Sequence, residues 1–178
     1  MLRELSSVFD FKWEDKKRKN RGLPSAAFSD TIKAMLQLEP INFAEHRFHY
    51  LAPFSAHEIE IDGVIYKTAE HAYQALRVIP EARHRIIAAR SPLDAWREGQ
   101  KCKENNEVLL DYDKDALMEQ IFRAKLKQHD DVKQVLIESG ERGLLKLHGS
   151  DYYWGTGADG SGKNRMGKIW MKLREEIK

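Results

Sequence analysis

Only one stretch of this chain alternates apolar and polar residues across a tight-turn signal. In Glu58-Ile59-Glu60-Ile61-Asp62-Gly63-Val64-Ile65-Tyr66 the apolar side chains fall on every second position on both sides of Asp-Gly. That is the strongest short-range signature of a β-hairpin, because Asp-Gly accepts the positive φ angles of a two-residue turn. Elsewhere the apolar residues recur at intervals of three and four, the period of a helix with one buried face. The expectation is a mainly α chain: a single compact helical domain with a small β-hairpin.

The helices follow in order. Thr68 is placed to cap one that starts Ala69-Glu70-His71-Ala72-Tyr73-Gln74-Ala75-Leu76, with Ala72, Ala75, Leu76 and Ile79 as its inward stripe and Pro80 near its end. Arg83 to Arg90 reads as a short helix, and Ser91-Pro92 opens the next with Leu93, Trp96 and Gln100 along one side. A longer one runs from about Lys114 to Lys127 on Leu117, Met118, Ile121, Phe122 and Leu126. Asp130-Asp131 caps another through Glu138, carrying Val132, Val135, Leu136 and Ile137, and Ser139-Gly140 ends it. The last, Met166 to Ile177, buries Ile169, Trp170, Leu173 and Ile177.

At 178 residues the chain is long enough for one domain with a real core. Residues 1–40 read as an N-terminal extension before a main domain at 41–178. The extension holds a basic run, Lys16 to Gly22, and a short helix capped by Ser29-Asp30, with Ile32, Met35 and Leu36 on the face expected to dock and Pro40 closing it. The basic run can grip phosphates, though such runs are more often solvated arms. A net charge of +2 does not by itself imply nucleic-acid binding. Cys102 is the single cysteine, so an internal disulfide and a cysteine zinc cluster are excluded, and it reads as a surface or half-buried thiol. No apolar run reaches membrane-spanning length and the N-terminus has no signal-peptide core, so no membrane partner and a cytoplasmic location are expected.

Site chemistry concentrates in Asp151 to Lys168. This stretch sets four glycines, Gly155, Gly157, Gly160 and Gly162, beside Tyr152, Tyr153 and Trp154, with Asn164 just ahead of the last helix. Glycines let backbone approach a ligand, aromatic faces stack on rings, and a carboxylate handles a proton or a developing cation. The spacing fits neither a Walker loop nor a dinucleotide fingerprint. Asn164 can cap the helix or bond a ribose hydroxyl, and the backbone N–H groups there can hold a phosphate, with Lys163, Arg165 and Lys168 adding positive charge. On the helix after the hairpin, Glu70 and Gln74 lie four apart and project from one face, with Tyr73 toward its rim. Each has a plain structural reading too: Glu70 as a first-turn dipole partner, Gln74 as a backbone ligand, Asp151 as an Asx-turn or cap, His71 as a structural histidine. Neither a metal ligand set nor a cofactor motif is evident, and the ligand expected is phosphorylated and ring-bearing.

Taken together, Tyr50-Leu51-Ala52-Pro53-Phe54, the hairpin, Thr68 to Ala75, Arg123-Ala124-Lys125-Leu126, and Asp151 through Arg174 resemble the YbiA-like, or NADAR, N-glycosidases. The likeness runs from about Phe43 to the end, in order and with fitting spacings. It implies a mainly helical fold and hydrolysis of a bond between ribose and nitrogen, with ribosylamino-pyrimidine phosphates of early riboflavin synthesis and ADP-ribosylated guanine as substrate classes. It further implies Glu70 and Asp151 as catalytic carboxylates, and Phe54, Gln74, Tyr112, Lys125, Trp154, Gly155, Asn164 and Gly167 as substrate-binding residues. Four positions depart from the family pattern: Ala52-Pro53 replaces Ser-Asn before Phe54, Lys146 replaces a glutamate, Asp111-Tyr112 stands for Asp-Trp through a shortened loop, and Leu126 replaces Phe. In the expected chemistry Asp151 steadies the cation at ribose C1 while Glu70 orients water or protonates the departing nitrogen. Lys125 is either a Schiff-base nucleophile on the opened sugar or a solvated helix lysine. The alternatives are a non-catalytic module binding ADP-ribose or a nucleotide, and a nucleic-acid-associated protein gripping phosphates through its basic arm.

Overall fold

The computed structural model describes residues 39–177; the basic run and the helix expected over Ile32, Met35 and Leu36 lie outside the described residues. The described chain enters through a two-residue strand β1 (Ile41–Asn42), makes a 3-10 helix at His46–Leu51, and turns through residues 52–55 into the hairpin. Strands β2 (Ile59–Ile61) and β3 (Val64–Tyr66) pair antiparallel with Ile61 opposite Val64. Asp62 and Gly63 both have positive φ, 52° and 77°, the mirror-image turn whose twist matches that of the flanking strands.

Six α-helices follow among the described residues: α1 (Ala69–Leu76), α2 (Pro80–Ile87), α3 (Pro92–Glu104), α4 (Lys114–Gln128), α5 (Asp130–Glu138) and α6 (Arg165–Glu176). Between α5 and α6 the short strand β4 (Leu144–Leu145) pairs in parallel with β1, Ile41 opposite Leu144. This second sheet is not among the sequence expectations, since two-residue strands are too short to show a period. The fold class is mainly α, as expected.

Four local expectations are corrected. Helix α2 begins at Pro80, ahead of the expected start at Arg83, because a proline at the first helical position lacks only an N–H that would be orphaned there. His129 rather than Asp130-Asp131 occupies the N-cap position of α5, and its side chain makes no cap bond. On α3 the face carrying Leu93 and Trp96 is exposed, while Ala95, Gly99 and Cys102 are buried. Small residues win that interface because α3 runs close beside α1. A Cβ at Gly99 would collide with Gln74 Oε1. Cys102 is therefore fully buried, and burial pushes its thiol pKa up.

The core centres on α4 and α6, where Trp170 stacks on Phe122 at 4.3 Å between centroids and donates its indole N–H to Leu51 O at 2.8 Å. Truncating such a buried aromatic costs about 3–5 kcal/mol. This packing holds the 3-10 helix and the turn behind it, and that turn carries one wall of the site. No helix among the described residues is long and apolar enough to cross a membrane.

Candidate active site

Helix α1 begins under two constraints. Thr68 Oγ1 accepts the His71 N–H at 3.3 Å, as the capping expectation has it, and Pro53 O accepts the Glu70 N–H at 3.0 Å. The first turn is thereby pinned to the turn at 52–55. His71 bonds Thr68 Oγ1 at 2.8 Å and Ala89 O at 3.2 Å, a structural histidine. The Glu70 carboxyl is turned inward at only 5% exposure, where Gln74 Nε2 donates to its Oε1 at 2.7 Å. Gln74 Oε1 and Arg77 Nε are buried beside it without a protein partner. Burial pushes the Glu70 carboxyl above the usual range, against the Gln74 hydrogen bond and the positive charges of Lys146 and Arg77. The Asp151 charge raises it further, which brings the two expected carboxylates within electrostatic reach of each other.

Asp151 is tuned the opposite way. Burial works to raise its pKa and is outweighed by Lys146, whose Nζ lies 2.6 Å from Oδ2, and by the N–H groups of Trp154 and Tyr153 on Oδ1 at 2.8 and 3.2 Å. The carboxyl is held below its ordinary range. Those two backbone bonds also realise the turn-forming reading of this residue. Aromatic rings wall the same space: Trp154 meets Tyr73 edge-on at 5.6 Å and Tyr153 at 4.9 Å. The Tyr73 phenol is pushed well up by burial and by its hydrogen bond to Tyr112, so Tyr112 reaches the site despite its displaced position in the sequence.

The other expected residues divide. Phe54, 41% exposed, stands on the turn whose Pro53 carbonyl holds Glu70. Lys125 is fully buried, which corrects the solvated-lysine reading. Its amine donates to Ala52 O at 2.9 Å and to Ser55 Oγ, on the same turn but beside Asp131 instead of Glu70. Asn164, at φ 47°, makes no cap bond; its Nδ2 donates to Leu144 O at 2.9 Å and its Oδ1 accepts the Lys146 N–H at 3.1 Å, so its amide staples β4 in place. Gly155 and Gly167 serve close packing: a Cβ on Gly155 would meet Lys146 O at 2.8 Å, and one on Gly167 would collide with Leu144 O.

The expected phosphate grip at the start of α6 is spent internally. The N–H groups of Lys163, Asn164, Arg165 and Met166 bond to Tyr152 O, Gly155 O, Tyr153 O and Trp154 O at 2.8–3.3 Å. Arg77 was missed as a site residue although it falls on the Glu70–Gln74 face, seven residues from Glu70. The Lys146–Asp151 pairing had no signal in the sequence, because the loop that joins them is irregular.

A protein-family model, described as the NADAR domain, matches residues 37–178. The chain belongs to the NADAR family. Among NADAR relatives, N-glycosidase YbiA of Escherichia coli strain K12 is 32% identical over 149 residues, covering 82% of this chain and 93% of that protein. An N-glycosidase from Nostoc punctiforme is 34% identical over 131 residues, covering 70% and 83%. A riboflavin biosynthesis protein from Vibrio vulnificus is 28% identical over 153 residues, covering 82% of this chain and 41% of its own length. The NMR structure of the E. coli protein YbiA superposes with a TM-score of 0.63 at 29% identity, covering 79% of this chain and 83% of that one.

Proposed function

We propose that this NADAR protein is an N-glycosidase that hydrolyses the bond between ribose and a nitrogen. The observation that carries the reading is a pair of carboxyl groups that share the Lys146 charge and whose surroundings push their pKa values apart, Glu70 up and Asp151 down. Such a split assigns a proton donor and a fixed negative charge. Glu70, retaining its proton to higher pH, delivers it to the departing nitrogen, and Asp151 stays ionised to stabilise positive charge at C1 and the ring oxygen. Tyr73, Tyr112 and Trp154 wall the base or sugar.

The substrate is a phosphorylated ribosyl compound. The Lys114 and Lys163 amines lie 3.6 and 5.4 Å from the centroid of the Tyr153 ring and lend positive charge next to Trp154. Ribosylamino-pyrimidine phosphates are the substrate class favoured by the riboflavin-linked relative, and ADP-ribosylated guanine is the second candidate. A cytoplasmic location fits the unpaired thiol of Cys102. A second route uses Lys125 as the amine that captures the aldehyde of an opened ribose, favoured by burial that pushes its pKa from 10.5 to about 7. The binding-module reading rests on a different observation, that Asp151 already has both oxygens engaged.

The deciding experiment offers the purified protein the aminopyrimidine riboside phosphate, ADP-ribosylated guanine DNA and NAD, and follows free base by mass spectrometry beside calorimetry. Release from one of them is expected. Saturable binding without release from any would overturn the glycosidase reading in favour of the module.

A further inference from the structure

Around Lys125 the chain builds a polar path that the carboxylate chemistry does not use. The amine is fully buried, touches no carboxylate, and has two acceptors, Ala52 O at 2.9 Å and Ser55 Oγ. Ser55 is itself buried, and its Oγ lies 3.0 Å from His57 Nδ1. On the far side of the ring, Nε2 is 3.2 Å from Asp131 Oδ2, a side chain 55% exposed to solvent. Lys125, Ser55, His57 and Asp131 thus lie in series from the interior to water.

We propose that Ser55 and His57, anchored by Asp131, are positioning residues that take a proton from Lys125 and hold it ready as a free amine. This rests on the reading of Lys125 as the amine that captures an opened ribose. Two proton arrangements are consistent with these contacts. In the first, Lys125 is an ammonium donating to Ser55 Oγ, the serine hydroxyl donates to Nδ1, and Nε2–H donates to Asp131. In the second, the proton has crossed: Lys125 is neutral, the imidazolium donates from Nδ1 to Ser55 Oγ and from Nε2 to Asp131, and the serine hydroxyl turns to Tyr50 O at 3.1 Å or Ala52 O at 3.0 Å. No atoms are gained or lost; one N–H bond breaks at Lys125, one forms at Nδ1, and the serine exchanges its hydrogen.

Transfer from a lysine to a histidine is ordinarily steeply uphill, and here the gap is narrowed. Burial lowers Lys125 to about 7 with only Asp131 opposing, and burial followed by the Lys125 charge lowers His57, opposed by Asp131. The groups facing the ring come from every element around it: Tyr50 edge-on at 5.0 Å from the 3-10 helix, Lys125 from α4, His129 edge-on at 4.9 Å from the α4–α5 junction, and Asp131 from α5. His129 lowers His57 slightly, so the coupling of interest is read as the part that Lys125→Met removes.

The test uses ribose 5-phosphate with cyanoborohydride on the full chain, which reduces any imine to a stable secondary amine found by peptide mass spectrometry. This probe has no glycosidic nitrogen, so its outcome is independent of whether the protein is a glycosidase. An adduct on Lys125 is expected in the unsubstituted protein at pH 7. It should fall by up to about twofold in Ser55→Ala and His57→Gln, because an amine with a pKa of about 7 is half deprotonated at pH 7, recover in both at pH 9, and return at pH 7 when imidazole is added to His57→Ala. Side-chain NMR titration supplies the second readout: Lys125→Met should raise the His57 midpoint. An absent Lys125 adduct, equal labelling in Ser55→Ala and His57→Gln at pH 7, or an unmoved His57 midpoint in Lys125→Met would each overturn the proposal. Thermal midpoints unchanged in Ser55→Ala and His57→Gln, and not lowered in Lys125→Met, separate these outcomes from misfolding.

Discussion

Replacing Lys125 with methionine should stabilise this protein while removing a candidate site amine. The reasoning starts from the fall of its pKa from 10.5 to about 7, caused by burial. Each tenfold step in proton affinity is worth about 1.4 kcal/mol, so holding this side chain inside costs about 5 kcal/mol of folding free energy at pH 6. The sign follows from proton counting. Between the two pKa values the unfolded chain binds a proton that the folded one does not, so stability rises as pH rises toward 10.5 and is lost as pH falls to about 7; below that both states are protonated and the penalty is constant. Methionine has a similar volume and no charge to desolvate. The acceptors it deserts keep other donors: Ala52 O also receives the Ser55 N–H and hydroxyl, and Ser55 Oγ retains His57. Allowing about 1–3 kcal/mol for the lost charged hydrogen bonds, Lys125→Met should be more stable by about 2–4 kcal/mol at pH 6. Urea unfolding of both proteins at pH 6 and pH 9 measures it, and the gap should shrink by about 2.5 kcal/mol across that interval. A variant less stable than the parent at pH 6, or a gap that does not change with pH, would refute the account of this lysine as a buried base.

Four further predictions concern the two carboxyl groups and the residues around them. Glu70→Gln keeps the hydrogen-bond geometry but cannot give up an acidic proton, so kcat should fall by about 10²-fold or more with no loss of thermal stability, measured as free base released from the active substrate of the panel. Asp151→Asn should lower kcat on the same scale, and full activity in both variants would end the two-carboxylate assignment. Lys146→Met removes the partner that outweighs burial at Asp151, so the Asp151 pKa should rise and the acid limb of kcat/KM should move to higher pH; an unmoved limb would show that Asp151 does not need to be ionised. Gly99→Ala drives a methyl into Gln74 Oε1 and crowds Arg77 Nη2, which should cost about 1–3 kcal/mol in a denaturant titration and lower activity by displacing Gln74 from Glu70.

Much of this molecule was legible before any coordinates, for reasons that are local. Asp62-Gly63 encodes its own turn, Thr68 and Ser91 cap the helices that begin one residue later, and α4 shows its buried stripe of Met118, Ile121, Phe122 and Leu126 by spacing alone. Glu70 and Gln74 on one helical face were likewise visible, since four residues bring side chains together by geometry. What was hidden depends on which surfaces meet. Pairing of β1 with β4, the choice of Ala95, Gly99 and Cys102 as the buried face of α3, and the consumption of the α6 N-terminal N–H groups by the aromatic loop all arise from contacts distant in sequence or inside an irregular loop.

The electrostatics divide in the same way. The sequence by itself specified that two acidic residues, several aromatics and a lysine were available, because residue type sets the chemistry a side chain can do. Only the tertiary structure decided that Glu70 gains and Asp151 loses proton affinity, and that Lys125 sits dry against Ser55 rather than in water. Proton affinity follows from burial and from neighbouring charge, and neither exists until the chain has closed around the group.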